Sequence, residues 1–209
     1  MDGKDTWVWS SVDFSHATHR ELRTNQTASF DQFILIEFSD FPGVVAGSTI
    51  NSATLELFNY DNFTDLPLDL KASQITSAWV ETVTFLTHPT VNATPEDITE
   101  ITIDDVWYSW DLTSLTQDWV DATASNYGVQ NFDSGPGHFQ RFASSDIGGG
   151  GVEPAHPGGD LRPKLTIDFM VPMPPSNVIP ESSSLLLWGI GLVGIVIMER
   201  RRRKQKLAA

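Results

Sequence analysis

The 209-residue chain has no cysteine, and its 13 Lys and Arg stand against 27 Asp and Glu, for a formal net charge of −14. The lack of cysteine excludes disulfides, thiol catalysis and thiolate metal sites. Six of the 13 basic residues follow Met198, so residues 1–180 hold seven basic and 25 acidic side chains, a net charge of −18. A body this acidic repels phosphate backbones, which argues against nucleic-acid binding.

Residues 1–170 are predicted to form one all-β domain, because apolar or alternating segments are separated by turn-forming residues. The run FDQFILIEF (30–38) is almost wholly apolar, as in a buried strand, whereas SATLELFNY (52–60) alternates. About nine strands are predicted, at residues 7–12, 21–24, 30–38, 52–60, 68–75, 107–112, 127–132, 138–143 and 164–169. Short strands with little helix favour an antiparallel, jelly-roll-like β-sandwich of two sheets.

One short helix is predicted late in this domain, over about residues 113–121. Three apolar side chains of DLTSLTQDWVDA recur at helical spacing: Leu112, Leu115 and Trp119. Thr113 or Ser114 is placed to cap the first turn. The helix is therefore expected to lie across one end of the sandwich and to bury Leu115 and Trp119.

The C-terminal part begins with a proline-rich linker, residues 171–178, in which the prolines exclude continuous helix and favour an extended spacer. An apolar run of 14 residues, 185–198, follows. It corresponds to about 21 Å of helix against a hydrocarbon core of about 30 Å. The arginine-rich stretch at 200–206 comes directly afterwards, and such a cluster marks the cytoplasmic side of an inserted helix. One transmembrane helix over about residues 182–199 is predicted, with the body on the outer side.

Residues 179–206 resemble the PEP-CTERM sorting signal of Gram-negative bacteria: a Pro-Glu motif, a short transmembrane helix and an arginine-rich end. Pro180 and Glu181 match the motif, and Ser182 stands where a second proline is usual. The resemblance implies export across the inner membrane, anchoring by the helix, cleavage near the motif by an exosortase, and delivery to the cell surface or extracellular matrix. Because MDGKDTWVWS resembles a strand and not a signal peptide, either the chain starts downstream of the natural N-terminus, which we favour, or export uses a signal of another kind.

The body resembles the DNRLRE domain family, which is related to jelly-roll carbohydrate-binding modules. The matching segments are, in order, FILIEFSDFP, INSATLELF, ITSAWVETVTF, WYSWDLTSLTQDWV, RFASSD and RPKLTIDF. The chain departs from the family at Phe85, where Trp is usual, and at Ala122 or Thr123, where Gly is usual; these are packing positions. The resemblance implies an extracellular β-sandwich, with polysaccharide binding in some members and no known chemistry in most.

Aromatic side chains are the first candidate ligand contacts, because the C–H faces of pyranose rings stack on exposed aromatic rings. Trp79, Trp110 and Trp119 fall on predicted core positions. Trp107 and Tyr108 open one strand, and neighbouring strand residues face opposite sides, so one of them faces outward. Trp107 and Tyr108 are therefore the candidate polysaccharide contacts.

Calcium is the candidate cofactor, because jelly-roll modules of this kind often hold a structural calcium ion where the first and last strands meet. Asp5 opens the first predicted strand and Asp168 closes the last, which makes them the candidate ligands. The alternative is a solvated acidic surface without an ion. His16 and His19 are a weaker candidate for a surface metal site, because two ligands are too few for a strong one.

Signatures of catalysis are missing from the sequence, which has no nucleophile elbow, P-loop or HExxH motif. Glu81 and Asp111 are candidate paired carboxylates for glycoside cleavage, but each stands beside predicted core aromatics, where a carboxylate more often binds backbone amides. The favoured function is a non-catalytic, exported β-sandwich that binds extracellular or envelope polysaccharide. A structural matrix protein without a sugar site and a polysaccharide-degrading enzyme are the alternatives.

Overall fold

Ten strands and one short α-helix make up the described part of the chain. The structure, a computed structural model, describes residues 3–27, 29–62, 67–133, 138–148 and 160–173. The strands are β1 (Gly3–Trp9), β2 (Glu21–Gln26), β3 (Asp31–Phe38), β4 (Thr49–Asn62), β5 (Leu68–Gln74), β6 (Asp97–Ile101), β7 (Val106–Asp111), β8 (Val129–Asp133), β9 (His138–Ala143) and β10 (Lys164–Met170). Helix α1 (Thr113–Val120) follows β7, and 3₁₀ turns span Phe85–Thr87 and Ser145–Gly148.

All ten strands belong to one compact unit, Met1–Pro172. The second unit, Met173–Ala209, lies outside the described residues apart from Met173. The predicted transmembrane helix at 182–199, the basic tail at 200–206, the motif of Pro180 and Glu181 and most of the linker all fall in that undescribed part. Within the described residues, no helix has the length and apolar character needed to cross a membrane.

The strands form one continuous, antiparallel sheet that curls on itself. β3 pairs with β1 on one edge and with β2 and β8 on the other, and β8 continues to β5 and β6. β2 leads through β9 to β4, which pairs with β9 and β10 on one edge and with β7 on the other. The all-β antiparallel prediction is confirmed. The fold is β-sandwich-like, as predicted, but the two predicted sheets are one, because β2 and β9 join the two halves by backbone hydrogen bonds, and β6 adds a tenth strand.

A hydrophobic core fills the inside of the curl. The half built from β3, β8 and β5 and the half built from β4, β7, β9 and β10 both contribute, with Ile34, Ile36, Leu70, Ala72 and Val129 from the first and Ala53, Leu55, Leu57, Trp110, Phe142 and Leu165 from the second. Trp110 is fully buried, as predicted, and its indole N–H donates to the carbonyl of Leu70 at 2.8 Å. This hydrogen bond thus joins the two halves across the core. The apolar contacts also stabilise the fold, because burying each large apolar side chain gains roughly 1.5–3 kcal/mol.

A second apolar cluster covers the opposite face of β3. It consists of Val8, Leu35, Ile75, Trp79 and Val83. Trp79, a predicted core residue, is 6% exposed and donates its indole N–H to the carbonyl of Tyr127 at 2.8 Å. Because apolar clusters lie on both of its faces, β3 is a doubly buried strand, which explains its nearly continuous apolar sequence.

β6 and β7 lie side by side without a backbone ladder between them. The Thr99 hydroxyl donates to the carbonyl of Ser109 at 2.5 Å, and the Asp97 carboxylate accepts the backbone N–H of Asp111 at 2.7 Å. Side chains therefore hold together the two strands at which the curl comes closest to closing.

Helix α1 lies where the sequence predicted it, with Leu115 buried and Trp119 partly buried against the ring of Phe41 at 6.0 Å. The cap differs from the prediction. The Asp111 carboxylate accepts the backbone N–H of Thr113 at 2.8 Å, so the capping acceptor is the last residue of β7 and not Thr113 or Ser114. A carboxylate at this position also suits the positive end of the helix dipole.

Gly128 provides a test of the packing of β8 against β3. Its φ is 82°, and a Cβ added there would lie 1.9 Å from the carbonyl oxygen of Ile36, whereas Gly43, with φ 85°, would meet only an ordinary contact with Phe169 at 3.4 Å. Gly128→Ala is expected to lower the free energy of unfolding by at least about 2 kcal/mol, or the melting temperature by about 4–8 °C. Gly43→Ala is expected to cost only about 1 kcal/mol, for its dihedral angle. Circular dichroism melts measure both, and equal losses would contradict the close approach.

Candidate functional site

The outer face of β10, β4 and β7 is polar and carries one indole. In the ladder Lys164 lies opposite Glu56, Glu56 lies opposite Ser109, and Phe58 lies opposite Trp107. Paired and alternate residues of a sheet share a face. These five side chains therefore lie together on the side of the sheet that faces away from the core.

Trp107 is half-buried and contacts two neighbours on this face. Its ring meets that of Phe58 at 5.5 Å and an interplanar angle of 67°. The ammonium of Lys164 lies 3.6 Å from the ring centroid, over its face. A cation over an indole at an exposed site contributes about 0.5–1 kcal/mol. Because Lys164 is exposed, its contact with the indole is weak and other groups can compete for the ring.

Tyr108 points the other way and is 8% exposed. Its hydroxyl accepts the backbone N–H groups of Thr102 at 2.9 Å and Ile103 at 2.8 Å, and it donates to the carbonyl of Ile103 at 2.8 Å. These bonds use its full hydrogen-bonding capacity. Tyr108 therefore organises the turn after β6, and Trp107 is the member of the candidate pair that faces outward.

A cleft of about 820 Å³ opens between the starts of β1 and β10. Among the described residues, each of these strands pairs with one other strand only, so the cleft lies between two strand edges. Its lining includes Lys4, Asp5 and Glu37 from one side and Arg162, Lys164 and Thr166 from the other. Convergent polar groups in a concave site are what a sugar with several hydroxyls requires.

Two of the three cations in the cleft are held by neighbours. Lys4 lies 2.9 Å from the Glu37 carboxylate and donates to the carbonyl of Trp79 at 2.8 Å. Arg162 pairs with Asp160 at 2.5 Å, and this hydrogen bond lowers the pKa of Asp160 to about 2. Lys164 lines the cleft and also contacts Trp107, so it connects the cleft with the outer face of the sheet.

Residues 1–149 match the model of carbohydrate-binding module family 96. The chain belongs to this family. The predicted likeness to carbohydrate-binding modules is thereby confirmed, and such modules are a binding and non-catalytic type of domain. The match ends before β10, so Arg162 and Lys164 lie beyond it. Comparison with curated proteins gives no match.

Asp5 is almost completely buried in the module, with 4% of its surface exposed. Its carboxylate accepts the backbone N–H of Ser145 at 2.7 Å. Its pKa is raised to about 7, chiefly by burial and also by the nearby carboxylates of Asp146 and Glu81, while the hydrogen bonds from Ser145 oppose this rise. Asp5 thus ties the start of β1 to the turn that follows β9.

The candidate calcium ligands Asp5 and Asp168 have separate surroundings. Asp168 is exposed, lies opposite Ser52 and accepts the side-chain N–H of Asn51 at 3.3 Å. It does not line the cleft that Asp5 lines, and one calcium ion needs its oxygen ligands at about 2.3–2.6 Å. Within the described ranges, no three His, Asp or Glu side chains form a group able to hold a metal ion. Calcium binding by Asp5 and Asp168 stays a prediction from the sequence.

His16 is not a surface ligand, and that part of the prediction is wrong. Its side chain is 2% exposed and stacks on the ring of Trp7 with centroids 3.5 Å apart. Burial, followed by the charges of His19 and Arg23, lowers its pKa to about 4. His16 is therefore a neutral packing residue at neutral pH, with His19 beside it at 4.7 Å.

The candidate catalytic carboxylates also have different neighbours. Asp111 ends β7 and accepts the backbone N–H and the hydroxyl of Thr113, which lower its pKa. Burial raises the pKa of Glu81, and the charge of Asp146 raises it further. Asp111 acts as a helix cap, in agreement with the expectation that such carboxylates bind backbone amides, and Glu81 belongs to the surroundings of Asp5.

The pKa of Asp5 gives a prediction for stability against pH. Because the folded module holds the proton more tightly than the unfolded chain, the stability contributed by Asp5 is complete below its ordinary pKa of 3.8 and is lost as the pH rises towards about 7. Asp5→Asn keeps an acceptor for Ser145 and carries no charge. At pH 8 the variant is expected to melt at least about 2–4 °C above the wild type, and near pH 4 this advantage should disappear.

Thermal unfolding at pH 4, 6 and 8 measures the difference. Asp168→Asn, which removes an exposed carboxylate, is the matched control and should show a smaller dependence. A constant difference between Asp5→Asn and the wild type at all three pH values would contradict the linkage.

Proposed function

We propose that the module binds a polysaccharide outside the cell, through the indole of Trp107 and the polar groups of the adjacent cleft. The observation that carries the proposal is membership in carbohydrate-binding module family 96. The family supplies the ligand class, and Trp107 and the cleft supply a site of matching chemistry. No catalytic step is part of the proposed function.

The outer face offers both kinds of contact that a sugar needs. An indole face accepts the C–H side of a pyranose ring, and the hydroxyl and charged groups around it can bond to sugar hydroxyls. Ser109 and Thr166 are exposed hydroxyl donors on β7 and β10. These strands lie on opposite edges of β4, so they are two strand spacings apart, about 10 Å. A ligand that contacts both must extend beyond one sugar ring, which favours a polysaccharide over a monosaccharide.

Trp107→Ala tests the site. The variant is expected to bind the polysaccharide selected by a glycan array about 5- to 30-fold more weakly, because losing a central aromatic contact costs about 1–2 kcal/mol. Isothermal titration measures the affinity, and a circular dichroism melt checks that the variant folds. Phe14→Ala is the control, since Phe14 is an aromatic side chain, 52% exposed, on the loop between β1 and β2 that does not line the cleft.

Two outcomes would contradict the proposal in different ways. Equal binding by Trp107→Ala and the wild type would remove Trp107 from the site while leaving sugar binding in place. Uniform silence of the wild type on the array, with and without calcium, would favour a structural matrix protein without a sugar site.

The proposed location rests on the C-terminal sequence. Residues 179–206 are proposed to be a sorting signal that places the protein in the membrane and is then cut near Pro180 and Glu181 by an exosortase, which leaves the module at the cell surface or in the matrix. A protease can recognise an extended segment that contains proline, because proline disfavours helical geometry at the residue before it.

Intact mass spectrometry of the protein from its native host tests the sorting proposal. The mature species is expected to lack the residues after about 181, and replacing Pro180 and Glu181 with alanine is expected to retain the longer, membrane-bound form. A native species that still carries the arginines at 200–203 would show that the segment is a permanent anchor.

A further inference from the structure

The ammonium of Lys164 covers one face of the ring of Trp107, the residue proposed to stack against a sugar. We propose that Lys164 is a displaceable cover, whose ammonium lies on the indole in the free protein and moves aside when the ring of a polysaccharide stacks there. The inference rests on the proposed function and adds the residue that regulates access to Trp107.

The contact leaves no room for a sugar ring on the covered face. The ammonium is 3.6 Å from the ring centroid, which is an ordinary contact distance between heavy atoms. Phe58 packs against the ring from another direction, at an angle of 67°, and is itself 8% exposed. Lys164 is exposed and Trp107 is half-buried, so the contact lies at the surface of the sheet. A sugar and the ammonium therefore compete for the same surface.

The ammonium of Lys164 can leave the indole because carboxylates that can pair with it are close. Lys164 is the first residue of β10, and its side chain carries the ammonium at the end of four flexible methylene groups. Glu56 lies directly opposite it in the ladder, and the charge of Lys164 also acts on Asp160, whose pKa it helps to lower. An ammonium displaced from the indole thus remains beside a carboxylate.

Displacement connects the two parts of the proposed site. Lys164 lines the cleft as well as covering Trp107. When the ammonium leaves the indole it moves within a surface that the ligand also contacts, where it can donate to sugar hydroxyls. Stacking on Trp107 and polar contact at the cleft are therefore expected to occur together.

Quenching by acrylamide in the absence of sugar tests the cover itself. Trp107→Phe, made in each background, isolates the fluorescence of Trp107 from that of the other tryptophans. The quenching constant of Trp107 is expected to rise in Lys164→Ala, and to stay near the wild-type value in Lys164→Arg, because arginine also stacks on aromatic faces. Lys71→Ala removes the same charge from β5 and should leave the constant unchanged. An equal constant in Lys164→Ala and the wild type would overturn the proposal.

Titration with cellotetraose, xylotetraose and mannotetraose tests the displacement. Lys164→Ala is expected to bind whichever of these neutral probes the wild type binds about two- to fivefold more tightly, since no cation has to leave the ring. Adding Trp107→Ala should remove the gain. Unchanged or weaker binding by Lys164→Ala would overturn displacement. If neither these probes nor the glycan array shows binding to any variant, the proposed function fails, while the quenching experiment still decides whether Lys164 covers the indole.

Discussion

The two backbone edges of strand β4 determine the geometry of the rest of the molecule. β4 runs for 14 residues and pairs with β10 and β9 along one edge and with β7 along the other. Buried N–H and C=O groups need partners, so pairing on both edges fixes the register of its neighbours. At its start, Gln117 of α1 accepts the backbone N–H of Ile50 at 2.8 Å. Lys164 and Trp107, 57 residues apart in the sequence, meet because both strands are registered on β4 beside Glu56 and Phe58.

The local pattern of apolar and polar residues predicted the strands and the helix in which that pattern follows the burial of the side chains. β3 is apolar because apolar clusters cover both faces, β4 alternates because one face meets the core, and α1 shows helical spacing. β6 shows no such pattern, because in the described part of the chain it pairs with β5 only and its Ile98 is 48% exposed. The continuity of the sheet was also hidden, since it depends on pairs such as Asn59 with Phe142 that are far apart in the chain.

The candidate site could be predicted only in part from the sequence, because it too depends on pairing between strands that are far apart in the chain. Alternation indicated that Trp107 or Tyr108 faces outward, but only the turn after β6 shows which one has its polar group in use. Lys164 begins an ordinary strand, and its contact with Trp107 depends on the register of three strands. Asp5 lies in the first strand and Asp168 in the last. Whether they meet depends on which part of β10 lies beside β1, and no local pattern encodes this.

The position of β10 outside the family match affects how the module can be moved between proteins. β10 covers residues 49–56 of β4 and places Leu165 in the core. A gene fragment cut at residue 149, where the match ends, would encode a protein in which that edge of β4 has lost its partner. An open strand edge next to exposed apolar surface is a template for pairing between molecules. Such a fragment would tend to aggregate, so a portable glycan probe made from this module must extend through β10.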